Sequence, residues 1–122
     1  MNIQSATHSH IDITDTLARL YLFLAQSLDR CVSEAARISY PEAEFQSNLA
    51  SIRATVLDML SVNQVVKGKV EQECIRVDSL VTACLKDGAA KSDALDELKV
   101  ERAALKRKTE VLSDLLAVFR AV

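Results

Sequence analysis

The sequence has little of what lets a chain turn. Among its 122 residues are two glycines, one proline and no tryptophan, and aromatic residues make up only 4%. Tight turns need residues that tolerate special backbone angles, so a chain this poor in them changes direction only a few times. Hydrophobic residues nonetheless reach 49%, and the expectation is a few long helices in one domain.

Other absences narrow the function. The formal net charge is −2, which argues against direct nucleic-acid binding through a general basic field. No lysine occurs before Lys67, whereas both signs crowd the segment from Glu97 to Glu110. The three cysteines, Cys31, Cys74 and Cys84, cannot all pair with one another and none has CxxC spacing. They read as reduced thiols on apolar stripes in an intracellular protein, cytoplasmic or nuclear. The first dozen residues have neither the basic start nor the apolar run of a signal peptide. The longest near-continuous apolar stretch, Leu20 to Ala25, is far short of the roughly 20 residues that a bilayer requires. A soluble chain with no membrane partner is expected.

Chemistry has no evident foothold. There is no Gly-rich phosphate loop, no G-x-S-x-G and no recognisable pair of catalytic carboxylates. His8, His10 and Asp12 form an H-x-H-x-D string, but alternating spacing suits a strand and no further strong ligand accompanies it. The expectation is therefore a chain that is not an enzyme, with no catalytic residue, cofactor, metal or small-molecule substrate.

Helical periodicity is abundant. Residues 1–11 are polar and aperiodic and read as a flexible N-terminal arm ahead of a single helical domain over 12–122. Asp12 or Thr14 can cap a first helix over about 13–38. Its stripe is Ile13, Leu17, Leu20, Leu24, Leu28, Cys31, Ala35 and Ile38, in steps of three and four. Tyr40-Pro41 ends it, because the proline ring disfavours helical geometry at Tyr40 and suits the start of a new helix.

A second helix is expected over about 41–86. Its stripe runs through Phe45, Leu49, Ile52, Val56, Met59, Asn63, Val66, Val70, Cys74, Val77, Val81 and Cys84. The period crosses Gly68 undisturbed, which favours one long helix of roughly 65 Å at 1.5 Å per residue; a break at Gly68 would instead give four helices. Asn63 stands where the stripe wants an apolar group. It is either a buried amide that fixes register or a partly exposed residue near a kink at Gly68. Lys86-Asp87-Gly88 reads as a helix end.

The third helix, about 92–120, carries Leu98, Leu105, Leu112 and Phe119 seven residues apart, with Leu95, Arg102, Thr109 and Leu116 on the adjoining seam. Such a repeat predicts coiled-coil packing. The cations from Lys99 to Lys108 are interleaved with Glu97, Glu101 and Glu110 at helical spacing, which predicts a salt-bridged solvent face.

The fold class that follows is all-α, an antiparallel helical hairpin or three-helix bundle, four-helix if Gly68 breaks the second helix, with coiled-coil character. With a continuous second helix the bundle is an open S that is two helices thick over much of its length, and an apolar seam would then face water. The expected cover is another helical protein subunit or a second copy of the chain. Leu98, Leu105, Leu112 and Phe119 are the expected partner-binding residues, with Val66, Val70, Val77 and Asn63 opposite; some of them must instead be internal contacts.

Two resemblances bear on this expectation. Val77-Asp-Ser-Leu-Val81, the turn through Gly88 and the Leu95, Leu98, Leu105, Leu112 helix resemble the hairpins of small helical subunits of the eukaryotic transcriptional Mediator complex. That resemblance implies an obligate, non-catalytic subunit whose hairpin pairs with another helical subunit. Asn63-Gln-Val-Val-Lys-Gly-Lys-Val70, continuing to Leu80, is similar to the central helix of bacterial flagellar and type III export chaperones, which implies docking of a helical client segment. A homodimeric coiled-coil structural protein is the third expectation.

Overall fold

The computed structural model describes residues 10–32, 39–61, 63–87 and 92–121. Among them the fold is all-α, with helices α1 (His10–Val32), α2 (Glu42–Met59), α3 (Gln64–Asp87) and α4 (Ser92–Ala121). The expected N-terminal arm up to residue 9, the stripe positions Ala35 and Ile38, and Gly88 lie outside the described residues. None of the described helices is long and apolar enough to cross a membrane.

Cross-helix pairs fix the directions. Gln46 donates to Asp78 at 2.6 Å and Arg53 pairs with Glu71 at 2.6 Å, so rising numbers on α2 meet falling numbers on α3. Likewise Arg76 meets Glu101 at 3.0 Å and Lys108 meets Glu73 at 2.6 Å between α3 and α4. Between α1 and α4, Asp29 accepts from Arg102 at 3.3 Å and from Lys106 at 3.2 Å, and Arg120 lies 3.9 Å from Asp15 at the far end. Successive helices thus run up, down, up and down, as in a closed bundle.

The core is built from the predicted stripes. Leu20, Leu24, Leu28 and Cys31 of α1 meet Phe45, Leu49 and Val56 of α2, Val70, Cys74, Val77 and Val81 of α3, and Leu98 and Leu105 of α4. Burying a Leu or Val side chain contributes roughly 1.5–3 kcal/mol, so these positions dominate the fold's stability. The first corner is aromatic. Phe23 stacks on Phe45 with centroids 5.8 Å apart, Tyr40 meets Phe45 edge-on at 5.9 Å, and the Tyr40 hydroxyl donates to the Ser27 carbonyl at 3.4 Å.

Three expectations about the helices change. The first helix starts at His10, ahead of the expected cap, so Thr14 is a buried position inside the helix and Asp12 lies in its first turn. The second helix is two helices, and the break is at Leu60 to Asn63, not at Gly68. Leu60 sits at φ −95° and ψ 11°, outside helical geometry, and its buried side chain closes the end of α2. The Asn63 side-chain oxygen then accepts the Val66 N–H at 3.1 Å, and its carbonyl accepts the Lys67 N–H at 2.9 Å. Asn63 is therefore an exposed N-cap and not a buried seam amide. Gly68 lies within α3, with nothing within 4 Å of where a Cβ would be. The stripe keeps its step across residue 63 because a short turn displaced the helix axis without upsetting the spacing of apolar residues.

The third change concerns pairing. The open S would place the last helix chiefly against the second, but α4 packs most extensively along α1. With α2 and α3 free to fold back on each other, α1 touches all three other helices, and the seam once expected to face water is closed internally.

Candidate functional site

Between α3 and α4 lies an open cleft of about 640 Å³, floored by Tyr21 of α1 and by Val66 and Val70 of α3. Its walls bear Glu73 and Arg76 from α3, three residues apart and so on one helical face, and Glu101 and Lys108 from α4, seven apart in one heptad position beside the leucine seam. Glu101 is the one buried charged residue among the described residues. It pairs with Arg76, while Lys108 pairs with Glu73 and rests 5.6 Å above the centre of the Tyr21 ring, a cation–π position.

The two carboxyl groups also act on each other. Burial, then the bond to Glu73 and its charge, push Glu101 up to about 7. Burial works against the ionised form of Glu73 too, but the hydrogen bonds from Glu101 and Lys108, with the charges of Lys108 and Arg76, outweigh it and hold Glu73 below the usual carboxylate range. The two shifts have opposite signs, so Glu101 keeps its proton to higher pH than an ordinary carboxyl while Glu73 gives up its own at lower pH. Tyr21 is pushed up to about 12, chiefly by burial and then by Glu73 and Cys74, so its ring is a neutral floor. Periodicity cannot show such a pair, because its members lie on different helices. With a cation on each carboxyl group, the cluster binds α3 to α4 in one register.

Three further cations of α4, Arg102, Lys106 and Arg120, reach across to α1. Arg102 and Lys106 converge on Asp29 of α1, where pairing within α4 was expected. Thr109, the other polar seam position, donates to the Leu105 carbonyl at 2.9 Å. Polar groups in the middle of the heptad seam are thus satisfied at the α1–α4 joint.

A second feature is the outer face of α4. Among the described residues the exposed large hydrophobic side chains are Leu22, Val65, Ile75, Val100, Val111, Leu115 and Val118. The first three stand apart, as single surface apolar residues commonly do. The other four share α4: Val100, Val111 and Val118 lie within about 20° of one line along the helix, with Leu115 beside them. They are 70%, 54%, 58% and 42% exposed, respectively.

The expected partner-binding residues divide differently. Leu98, Leu105, Val70 and Val77 are fully or almost fully buried, and Leu112, Phe119 and Val66 are half-buried. The heptad seam of Leu98, Leu105, Leu112 and Phe119 is the joint of α4 with the rest of the bundle, and Asn63 is a helix cap. The apolar residues left in water are one helical step aside, where Val100, Val111, Leu115 and Val118 recur at intervals of eleven, four and three. That interval was visible in the sequence, masked by the stronger leucine repeat next to it.

Cys31, Cys74 and Cys84 are buried and form no disulfide. Cys74 is pushed up to about 11 mainly by burial, with Arg53 opposing and Glu73 and Glu71 adding to the rise, so it is a protonated core thiol at neutral pH. Asp12 is exposed on α1 and His8 lies outside the described residues. Among the described residues no three His, Cys, Asp or Glu side chains gather as a metal site would require. No protein-family model, curated protein or solved structure matches the chain.

Proposed function

We propose that the chain is a non-catalytic helical subunit that acts by protein–protein contact, and that the contact is made by the outer face of α4. The observation that carries this reading is the line of Val100, Val111, Leu115 and Val118 in water on a helix whose opposite side is already packed. A helix needs only one apolar stripe to join its own bundle. A second stripe at helical spacing matches the way an amphipathic helix of another molecule docks, by residues at i, i+4 and i+7.

The Glu73–Glu101 cluster supports the same reading. Its carboxyl groups are engaged by each other and by Arg76 and Lys108, an arrangement suited to holding α4 rigidly so that its outer face is presented in one orientation.

The test is position-specific photocrosslinking in intact cells. A benzophenone side chain at position 111 or 115 is expected to give one discrete protein adduct, and the same group at the exposed Ser47 of α2 none. Adducts no stronger from α4 than from position 47 would sink the proposal.

A further inference from the structure

We infer that the occupant of the outer face of α4 is a second copy of the same helix, docked antiparallel about a two-fold axis at Val111. The inference rests on the reading of α4 as an interface and adds the identity of the partner. Two helices crossing antiparallel on a two-fold axis place residues equidistant from the centre opposite each other. With Val111 at the centre and facing its own counterpart, Ala104 and Val118, each seven residues away, meet. Two small or medium apolar side chains then lie opposite each other one heptad to either side of the axis, as a coiled-coil seam requires.

Charge selects this arrangement. Arg107 lies four residues before the centre and Asp114 three residues after it. Both are on the flank of the stripe turned away from α3, since Glu101 and Lys108, which do pair with α3, lie on the other flank. In an antiparallel pair the same flank of each helix faces its counterpart, so Arg107 of each copy meets Asp114 of the other. Two symmetric ion pairs result. Both side chains are exposed, and neither forms an ion pair or hydrogen bond with another described residue. A parallel pair would set this flank against the opposite flank of the other helix, bringing Arg107 level with Lys108 and Asp114 level with Leu115, so that neither ion pair forms.

Sedimentation equilibrium of the full chain over a wide concentration range reads the association, with circular dichroism confirming that each variant keeps its helix content. The wild type is expected to be a reversible dimer. Arg107→Asp places like charges opposite Asp114 twice and is expected to weaken association about tenfold or more. The double variant Arg107→Asp/Asp114→Arg restores opposite signs and is expected to return to within about threefold of wild type. Val111→Cys should form an interchain disulfide under mild oxidation, because that position meets itself, and Val118→Cys alone should not. The native cysteines are buried and do not interfere.

A wild type monomeric at every concentration overturns the inference, as does a dimer indifferent to Arg107→Asp or one in which Val118→Cys crosslinks to itself. These results are separable from failure of the wider reading. A photocrosslinked adduct at position 111 with a different protein overturns self-pairing and leaves α4 as the interface. Absence of any α4-specific adduct overturns both.

Discussion

Glu101 and Glu73 are set against each other across the seam between α3 and α4, with Arg76 on the first and Lys108 on the second. The folded chain holds the Glu101 proton more tightly than an unfolded chain does, since its carboxyl rises from 4.5 to about 7. The stabilisation this provides is complete below pH 4.5 and is lost as the pH rises through about 7. Glu73 has the opposite sign: its carboxyl is held low, so its contribution is present above the ordinary carboxylate value and is lost as pH falls.

Replacing Glu101 by Gln keeps a hydrogen-bond donor facing Glu73 and removes the titration. Urea midpoints at pH 5 and pH 8 should show the wild type losing roughly 1–2 kcal/mol between the two, a figure discounted from the full shift because the cleft is open to water. E101Q should lose much less. Equal pH dependence in the two proteins would mean that Glu101 titrates normally.

Gly68 is inside α3 with open space around it. Gly68→Ala is therefore expected to stabilise the chain by about 0.5–1 kcal/mol, through the smaller entropy of the unfolded backbone. A fall in thermal midpoint would show that the residue acts as a hinge after all.

Asn63 caps α3 through its side-chain oxygen. Asn63→Ala should cost about 1 kcal/mol, and Asn63→Asp should retain the cap and add favourable charge at the positive helix end. If Asn63 were instead a buried register-fixing amide, alanine would be tolerated and aspartate would be the damaging change.

Leu105 and Leu115 lie ten residues apart on the same helix with opposite environments, the first fully buried and the second 42% exposed. Leu105→Ala is expected to cost roughly 2–5 kcal/mol of monomer stability, and Leu115→Ala, measured at high dilution, within about 0.5–1 kcal/mol. Similar losses at both sites would place Leu115 in the core and remove it from the proposed interface.

The sequence by itself determined the helical class, the corner at Tyr40-Pro41, and the stripes that become the core. Each of these is a local property: helix formers repeat every three or four residues, and a proline constrains the residue before it. It also determined that Leu98, Leu105, Leu112 and Phe119 form a packing seam, because a heptad is readable without a partner. Only the tertiary structure decided that this seam packs along α1, which left Val100, Val111, Leu115 and Val118 as the face in water. The break at Leu60 to Asn63 was equally hidden, since the turn preserves the apolar spacing and Asn fits both a seam and a cap. So was the joining of Glu73 to Glu101. Periodicity records which side of a helix is apolar, but which helix covers that side depends on how closely the other helices can pack around α1.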